Sequence, residues 1–456
     1  MGRRFLRAVL RLVLSVFYRR IELRGLEKIP TKGPVIFVLN HPNGLVDPLF
    51  ILCFAPRRVA FLAKSTLFRT PVIGWMVRTL EAIPVYRSQD REDPAKNRET
   101  FGLCTERLAA GRTIALFPEG TTHSDPALKP LKSGAARIAL QAAAAIGAGG
   151  PRLKVVPVGL YYTAKATFRS EALALFGDPF EVEPATAPPV APQDEGGEPA
   201  AEPVRALNAR IDAALREVTL NCDRVEALDL IVRAEQVFTF GEATGSLARE
   251  LELKRRFVDG FTAVRERDPA RVEALAERIL SHERKLAASD IDPLSLRRRA
   301  RPAGATGFVA MRALLLSLLL PLTALGALLH VLPYRAVGWL TRRFAREDDS
   351  IAATIKVLAG LLLFPLTWGL LATAAGLAGG GAIGAVATLV GVPALGYGTV
   401  RHHERWGDLH ASLRAFVWAS SRPRFIEELI VERQAIADEI HALARELQSG
   451  RLPSAT

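Results

Sequence analysis

Between residues 353 and 400 the only formal charge is Lys356, and no other feature restricts this chain as much. A helix climbs about 1.5 Å per residue, so about 20 apolar residues cross the hydrocarbon of a bilayer. The stretch is long enough for two such spans, and Gly376, Gly379, Gly380, Gly381 and Gly384 near its middle supply a turn. A second apolar stretch, residues 306–334, has Pro321 near its centre. A buried soluble bundle is the competing reading, but core helices are usually shorter. Arg297, Arg298, Arg299 and Arg301 precede the first stretch, Arg335, Arg342, Arg343 and Arg346 lie between the two, and Arg401 and Arg405 follow. The positive-inside rule puts all three basic flanks in the cytoplasm. It therefore predicts membrane hairpins over 301–400, one bent at Pro321 and one turning at the glycines. One straight span at 308–330 is the alternative. Gly379, Gly381 and Gly384 also spell a dinucleotide-type G-x-G-x-x-G, but no strand precedes them, so small-residue packing between membrane helices fits better.

The charge balance narrows the partners. Lys and Arg number 60 against 47 Asp and Glu, a net charge of +13, on a chain that is 49% hydrophobic. Such an excess of base implies an anionic partner: nucleic acid, a membrane surface or a phosphorylated substrate. The bases cluster beside apolar stretches and not in an aromatic-studded groove, which argues against nucleic acid. The cysteines, Cys53, Cys104 and Cys222, are widely spaced and odd in number, so neither a disulfide framework nor a zinc site is indicated and a reducing compartment is expected. Residues 1–30 open with Arg3, Arg4, Arg7 and Arg11 interleaved with Phe5, Leu6, Val9 and Leu10. This is too charged for a signal peptide and predicts an amphipathic helix lying on a membrane, with docking on the protein's own core as the alternative.

Residues 31–182 read as one α/β domain. Short apolar runs at 35–39, 58–63, 82–86, 113–117, 154–160 and 172–176 alternate with helical stretches, which predicts a mixed, largely buried sheet flanked by helices. Residues 183–203 are rich in Pro, Ala and Glu and read as a linker. Residues 204–300 form an amphipathic helical region, 301–400 the membrane part, and 401–456 a C-terminal amphipathic helix and tail.

Two loops carry candidate chemistry. The first strand ends in Asn40-His41-Pro42-Asn43-Gly44-Leu45-Val46-Asp47. A carboxylate turned back onto an imidazole fixes its tautomer and stabilises the imidazolium, leaving the other nitrogen to take a proton from a hydroxyl. A purely structural turn held by Asn and Asp is the alternative. No G-x-S-x-G and no suitably placed cysteine points to a covalent acyl-enzyme. The second loop, Phe117-Pro118-Glu119-Gly120-Thr121-Thr122-His123, also follows a strand, and Lys132 precedes an Ala-rich helix. Backbone N–H groups there and nearby positive charge suit a phosphate. Lys64 and Arg87 lie just past two further strand ends, on the rim where α/β sheets bind ligands. Phe50, Ile51, Leu62, Phe68, Trp75 and Met76 are candidates for an apolar groove.

In order, these blocks resemble those of the glycerolipid acyltransferase superfamily of PlsC-like enzymes. The resemblance is carried by Asn40-His41 with Asp47, Lys64 with Pro71 and Gly74, Ile83-Pro84-Val85-Tyr86-Arg87, Phe117-Pro118-Glu119-Gly120 and Val156-Pro157-Val158-Gly159. The common His-x4-Asp spacing is one residue longer here, and Thr122 stands where the family usually has Arg. Both departures look like the branch of glycerol-3-phosphate and dihydroxyacetone-phosphate acyltransferases, as do Leu128 to Gly134 and Phe176-Gly177-Asp178-Pro179. The resemblance implies a glycerol-3-phosphate acyltransferase-like fold and transfer of an acyl chain from acyl-CoA or acyl carrier protein to a phospho-glycerol acceptor, without metal or cofactor. It makes His41 and Asp47 the catalytic pair. Asn43, Lys64, Arg87, Glu119, Gly120, Thr121, His123 and Lys132 become substrate-binding candidates, with Arg87 foremost for the phosphate and His123 or Lys132 in place of the missing Arg. Glu119 is expected to orient donors without touching phosphate. The expected location is the cytoplasmic membrane, with the catalytic domain on the cytoplasmic side. A lysophospholipid acceptor such as 1-acylglycerol 3-phosphate, and a non-catalytic lipid-binding scaffold, are the competing readings.

Overall fold

The computed structural model describes residues 2–87, 92–183, 202–222, 224–239, 245–289, 305–345 and 349–449. All but the ends of the 183–203 linker, and the arginines at 297–301 and 346, lie outside the described residues. The chain divides into two compact units.

The first unit comprises residues 1–223, 246–251 and 345–357. Its strands are β1 (Arg20–Arg24), β2 (Val35–Leu39), β3 (Val59–Lys64), β4 (Ile83–Val85), β5 (Thr113–Leu116), β6 (Lys154–Tyr162), β7 (Glu171–Phe176) and β8 (Phe180–Glu181). Its helices are α1 (Gly2–Phe17), α2 (Val46–Phe54), α3 (Pro71–Thr79), α4 (Asn97–Ala109), α5 (Gly134–Ile146) and α6 (Glu202–Val218). Each of the six apolar runs forms a strand of one eight-stranded sheet, ordered β1-β7-β6-β2-β5-β3-β4, with β8 also paired to β6. From β6 to β4 the strands run parallel, whereas β7 and β8 run antiparallel to β6. The sheet is thus mixed, and helices cover both faces.

Strand β2 shows why the run is continuously apolar. Val35, Phe37 and Leu39 enter the core on one face and Ile36 and Val38 the core on the other, because successive side chains alternate across a strand. Leu49, Phe50 and Ile51 of α2 join the first face, and Leu108 of α4 and Ala136, Ala139 and Ala143 of α5 join the second. The charged strand β1 has no apolar run because it is an edge strand, paired through β7 alone, where charge discourages further pairing.

Three expectations are revised. Helix α1 docks on its own domain: Leu6, Leu10, Leu14 and Phe17 are buried in the first core. Its arginines are also committed. Arg7 donates to the Cys53 carbonyl at 3.0 Å and Arg11 to the same carbonyl at 2.5 Å, where the last carbonyls of α2 gather partial negative charge. The first unit also extends past 182, because α6 buries Val204, Leu207, Ile211, Leu215 and Val218 against the second core face. Lastly, the apolar stretch beginning at 353 starts inside this unit, with Ala353 and Val357 in the first core.

The second unit contains α7 (Val225–Thr239), most of α8 (Leu247–Arg267), α9 (Pro269–Ala288) and α10 (Ala305–Phe344), and α11 (Asp349–Ala375) from Leu358 on. It ends with α12 (Gly381–Ser421) and α13 (Pro423–Gln448). Helices α7, α9 and α13 share apolar contacts, and Arg271 of α9 pairs with Glu446 of α13 at 2.7 Å. Two described helical stretches, Met311–Phe344 and Ile351–Gly407, are long and apolar enough to cross a membrane. The hairpin expected at Pro321 is absent: α10 is one helix through Pro321 and Pro333. Proline at an apolar helix position is tolerated where neighbouring groups relieve the lost hydrogen bond. At Gly376–Gly380, by contrast, the helix breaks, with Gly379 at φ 100°. The Trp368 indole donates to His330 Nε2 at 3.0 Å, and a Cβ on Gly396 would lie 2.6 Å from the same ring. An unbroken helix would hold Trp368 and Gly396 about 42 Å apart, so the chain turns back between them.

The seam between α6 and β6 is tight at Gly159, where a Cβ would stand 1.8 Å from the Val218 carbonyl oxygen. Gly159→Ala is expected to cost about 2 kcal/mol by overpacking. The thermal midpoint of the detergent-purified protein should fall by about 4–8 °C, and an unchanged melt would show that α6 is not fixed there.

Candidate active site

The parallel strands deliver their carboxyl ends to one edge of the sheet. Lys64 ends β3, Arg87 follows β4, the Phe117–Thr122 loop follows β5, Asn40 and His41 follow β2, and Tyr162 ends β6. Asn40 fastens the edge: its side chain donates to the Leu160 carbonyl at 3.0 Å and accepts from the Leu160 N–H at 2.7 Å. The chain leaving β2 is thereby held beside β6.

His41 Nδ1 lies 2.8 Å from Asp47 Oδ2. An ionised carboxylate only accepts, so Nδ1 carries the proton and Nε2 is left as the basic nitrogen. The ring plane is fixed by stacking on Phe117, with centroids 3.8 Å apart and planes 10° apart. Asp47 is fully buried, and a carboxylate there survives only if it is fully hydrogen-bonded. It is: besides His41, Oδ2 accepts the Asn43 N–H at 2.7 Å and Oδ1 accepts the Tyr162 hydroxyl at 2.6 Å. Burial, and then the Asp47 charge, push the Tyr162 phenol well above its ordinary pKa, so it stays a donor. Asp47 also sits in the first turn of α2, where the helix dipole favours an anion.

Glu119, also buried, joins the two motif loops. Its Oε1 accepts the His41 N–H at 3.0 Å, and Oε2 accepts the Lys129 N–H at 2.9 Å and pairs with His123 Nε2. Gly120 follows at φ +68°, with the Lys132 side chain folded across it where a Cβ would lie 2.8 Å from Lys132 Cδ. Arg87 Nη1 donates to the Gly120 carbonyl at 3.0 Å.

A cavity of about 1400 Å3 opens over this edge. Of the ten candidate residues, His41, Lys64, Arg87, Gly120, Thr121 and Lys132 line it. Asp47, Asn43, Glu119 and His123 lie outside its lining. Asn43 donates to the Tyr18 hydroxyl and to the Lys165 carbonyl, both at 3.2 Å, so it braces the loop. His123 pairs with Glu119, and Lys64, Arg87 and Lys132 are cations of the cavity lining. Away from them the wall is apolar, formed by Leu49, Leu52, Leu62, Leu67, Ile73 and Met76. Of the six groove candidates only Leu62 and Met76 take part; Phe50 and Ile51 are core, and Trp75 is exposed. Among the described residues no group of His, Cys, Asp and Glu could hold a metal ion.

Tyr162 escaped the sequence reading, although the strand-end rule that singled out Lys64 and Arg87 applies equally to β6. Tyr18 stacks on Tyr162 with centroids 5.7 Å apart and carries no sequence signal, since only folding brings the end of α1 to the end of β6.

Known proteins resemble this chain in both of its parts. Residues 20–161 match the family described as Acyltransferase, and residues 230–449 match the family described as Glycerol-3-phosphate acyltransferase 2 C-terminal domain. Glycerol-3-phosphate O-acyltransferase 1 of Saccharomyces cerevisiae is 24% identical over 78% of this chain and 59% of its own length. A 1-acyl-sn-glycerol-3-phosphate acyltransferase of Borreliella burgdorferi is 30% identical over 35% of this chain and 58% of its own. The chain thus spans little more than half the length of these curated relatives. The crystal structure of the 1-acyl-sn-glycerophosphate acyltransferase PlsC from Thermotoga maritima is 23% identical, covering 47% of this chain and 79% of that one at a TM-score of 0.34. With both parts matched in order, the chain carries a PlsC-like acyltransferase domain over residues 20–161 followed by a glycerol-3-phosphate acyltransferase 2 C-terminal domain over residues 230–449.

Proposed function

We propose that this protein is a membrane-bound O-acyltransferase that moves a fatty acyl chain from a thioester, acyl-CoA or acyl carrier protein, to a hydroxyl of glycerol 3-phosphate. The observation that carries the reading is the His41–Asp47 pair, at 2.8 Å, on a cavity whose wall is cationic on one part and apolar on another. Such a wall suits an acceptor phosphate and an acyl chain at once.

The chemistry follows from the pair. His41 Nε2 takes the proton of the acceptor hydroxyl as its oxygen attacks the thioester carbonyl carbon. Asp47 stabilises the imidazolium through Nδ1. Collapse of the tetrahedral intermediate breaks the C–S bond, and the thiolate takes the proton back from Nε2, so that ester and thiol are released and His41 is restored. Lys64, Arg87 and Lys132 hold the phosphate by charge, while Glu119, Asn43 and His123 hold the loops. No metal or cofactor enters this sequence.

Glycerol 3-phosphate is favoured as acceptor because the match at 230–449 is to a C-terminal domain named for glycerol-3-phosphate acyltransferase 2. 1-Acylglycerol 3-phosphate is the second reading, since a relative so named is 30% identical over 35% of this chain. The two apolar helical stretches and the basic flanks favour a cytoplasmic membrane, with catalysis on its cytoplasmic face. Exposed Phe5, Leu12 and Val16 of α1 offer an additional contact with that surface.

Three outcomes test the reading on detergent-purified protein with labelled acyl-CoA. His41→Ala should lower kcat about 10^3-fold and Asp47→Asn by a similar factor; turnover at wild-type rate in either variant would remove the pair from the mechanism. Tyr162→Phe strips Asp47 of one donor and should cost about tenfold in kcat, and an unaffected kcat would make that hydroxyl a packing group. Offered glycerol 3-phosphate, dihydroxyacetone phosphate and lysophosphatidate in parallel, the enzyme should show its highest kcat/KM for the first. A preference for lysophosphatidate selects the second reading, and no turnover with CoA or carrier-protein donors leaves the scaffold.

A further inference from the structure

Part of the cavity wall comes from a segment far down the chain. Residues 345–357 belong to the same compact unit as residues 1–223, with Ala353 fully buried in the core face that also holds α1 and α2. Ile351 and Thr354 line the cavity together with His41 and Leu45. Two hydrogen bonds fix the segment: Thr354 Oγ1 accepts the Leu45 N–H at 3.1 Å, and Lys356 Nζ donates to the Ala166 carbonyl at 2.5 Å.

The position of Leu45 gives the first of these bonds its meaning. Leu45 is the N-cap of α2 and makes no side-chain cap, because leucine has no oxygen to offer the orphan donors of a helix start. In a capping box a Glu or Gln at the third helical position reaches back to the N-cap N–H. Here that position is Pro48, which has no such group. The acceptor missing from the local sequence is supplied by Thr354, 309 positions away. Two residues on in the same turn stands Asp47, whose carboxylate must meet both His41 and Tyr162.

We infer that Thr354 is a positioning residue for acyl transfer: by capping Leu45 it holds the first turn of α2, and with it Asp47, in register with His41. This rests on the reading of His41 as the general base. The start of the second apolar stretch therefore serves the reaction itself as well as the passage into the following helix.

Thr354→Val keeps the shape and removes the acceptor, whereas Thr354→Ser keeps the acceptor. Both are compared with wild type and His41→Ala as full-length protein in detergent, with acyl-CoA and glycerol 3-phosphate, alongside thermal melts. The valine variant should lose about tenfold in kcat with KM for both substrates within about twofold and an unshifted melt, and the serine variant should stay within about twofold of wild type. The inference is overturned if the valine variant keeps its kcat, if serine is as impaired as valine, if the loss lies in KM alone, or if the melt of the valine variant collapses along with its activity. Turnover that survives His41→Ala would instead sink the proton-transfer reading, and this inference with it. Turnover that depends on His41 but ignores Thr354→Val removes Thr354 alone.

Discussion

A buried negative charge organises the catalytic unit. Asp47 has no exposed surface, and a carboxylate in that position is tolerable only when every strong lone-pair direction is met by a donor. Its donors come from two places in the chain: the loop after β2, through His41 and the Asn43 N–H, and the end of β6, through Tyr162. The amino end of α2 adds its dipole. Meeting these demands fixes the distance between β2 and β6 at their carboxyl ends and the entry angle of α2. The orientation of the imidazole above them follows. Glu119 repeats the device one strand over, joining the His41 backbone to the loop after β5.

The cavity inherits its polarity from that frame. The parallel strands end together, so residues just beyond them form one rim, and Lys64, Arg87 and Lys132 fall on it. Apolar residues from α2, β3 and α3 complete the wall. The charge of +13 thus divides among uses that a total cannot distinguish. Some bases face the cavity, and those on α1 close the carboxyl end of α2; others flank the apolar stretches, where a membrane orients them.

Much of this was legible in the residue order, for identifiable reasons. The central strands are buried on both faces, which leaves an unbroken apolar run such as Val35 to Leu39. His41 and Asp47 share one loop, so their pairing needs only a local turn. Strand β1 was not legible, because an edge strand carries Arg20, Glu22 and Arg24 and reads as polar chain. Helix α1 was misjudged because an amphipathic helix has one apolar stripe whether it lies on lipid or on protein, and α6 because its stripe likewise does not name its partner. The partners of Asn43 and His123 were not legible either: Asn43 meets Tyr18, which lies before β1, and His123 turns back onto Glu119.

By itself the sequence determined most of the elements and the candidate pair: periodicity and burial decide strand from helix locally, and a six-residue offset brings His41 and Asp47 within reach. It also determined that residues 306–334 and 353–400 are too apolar for ordinary solvent exposure. Only the tertiary structure decided which stripes meet, that Tyr162 and Thr354 close on the loop that carries the pair, and that Pro321 continues a helix. Those outcomes depend on contacts between residues more than a hundred positions apart. Such contacts form only after the chain has collapsed, and no local pattern encodes them.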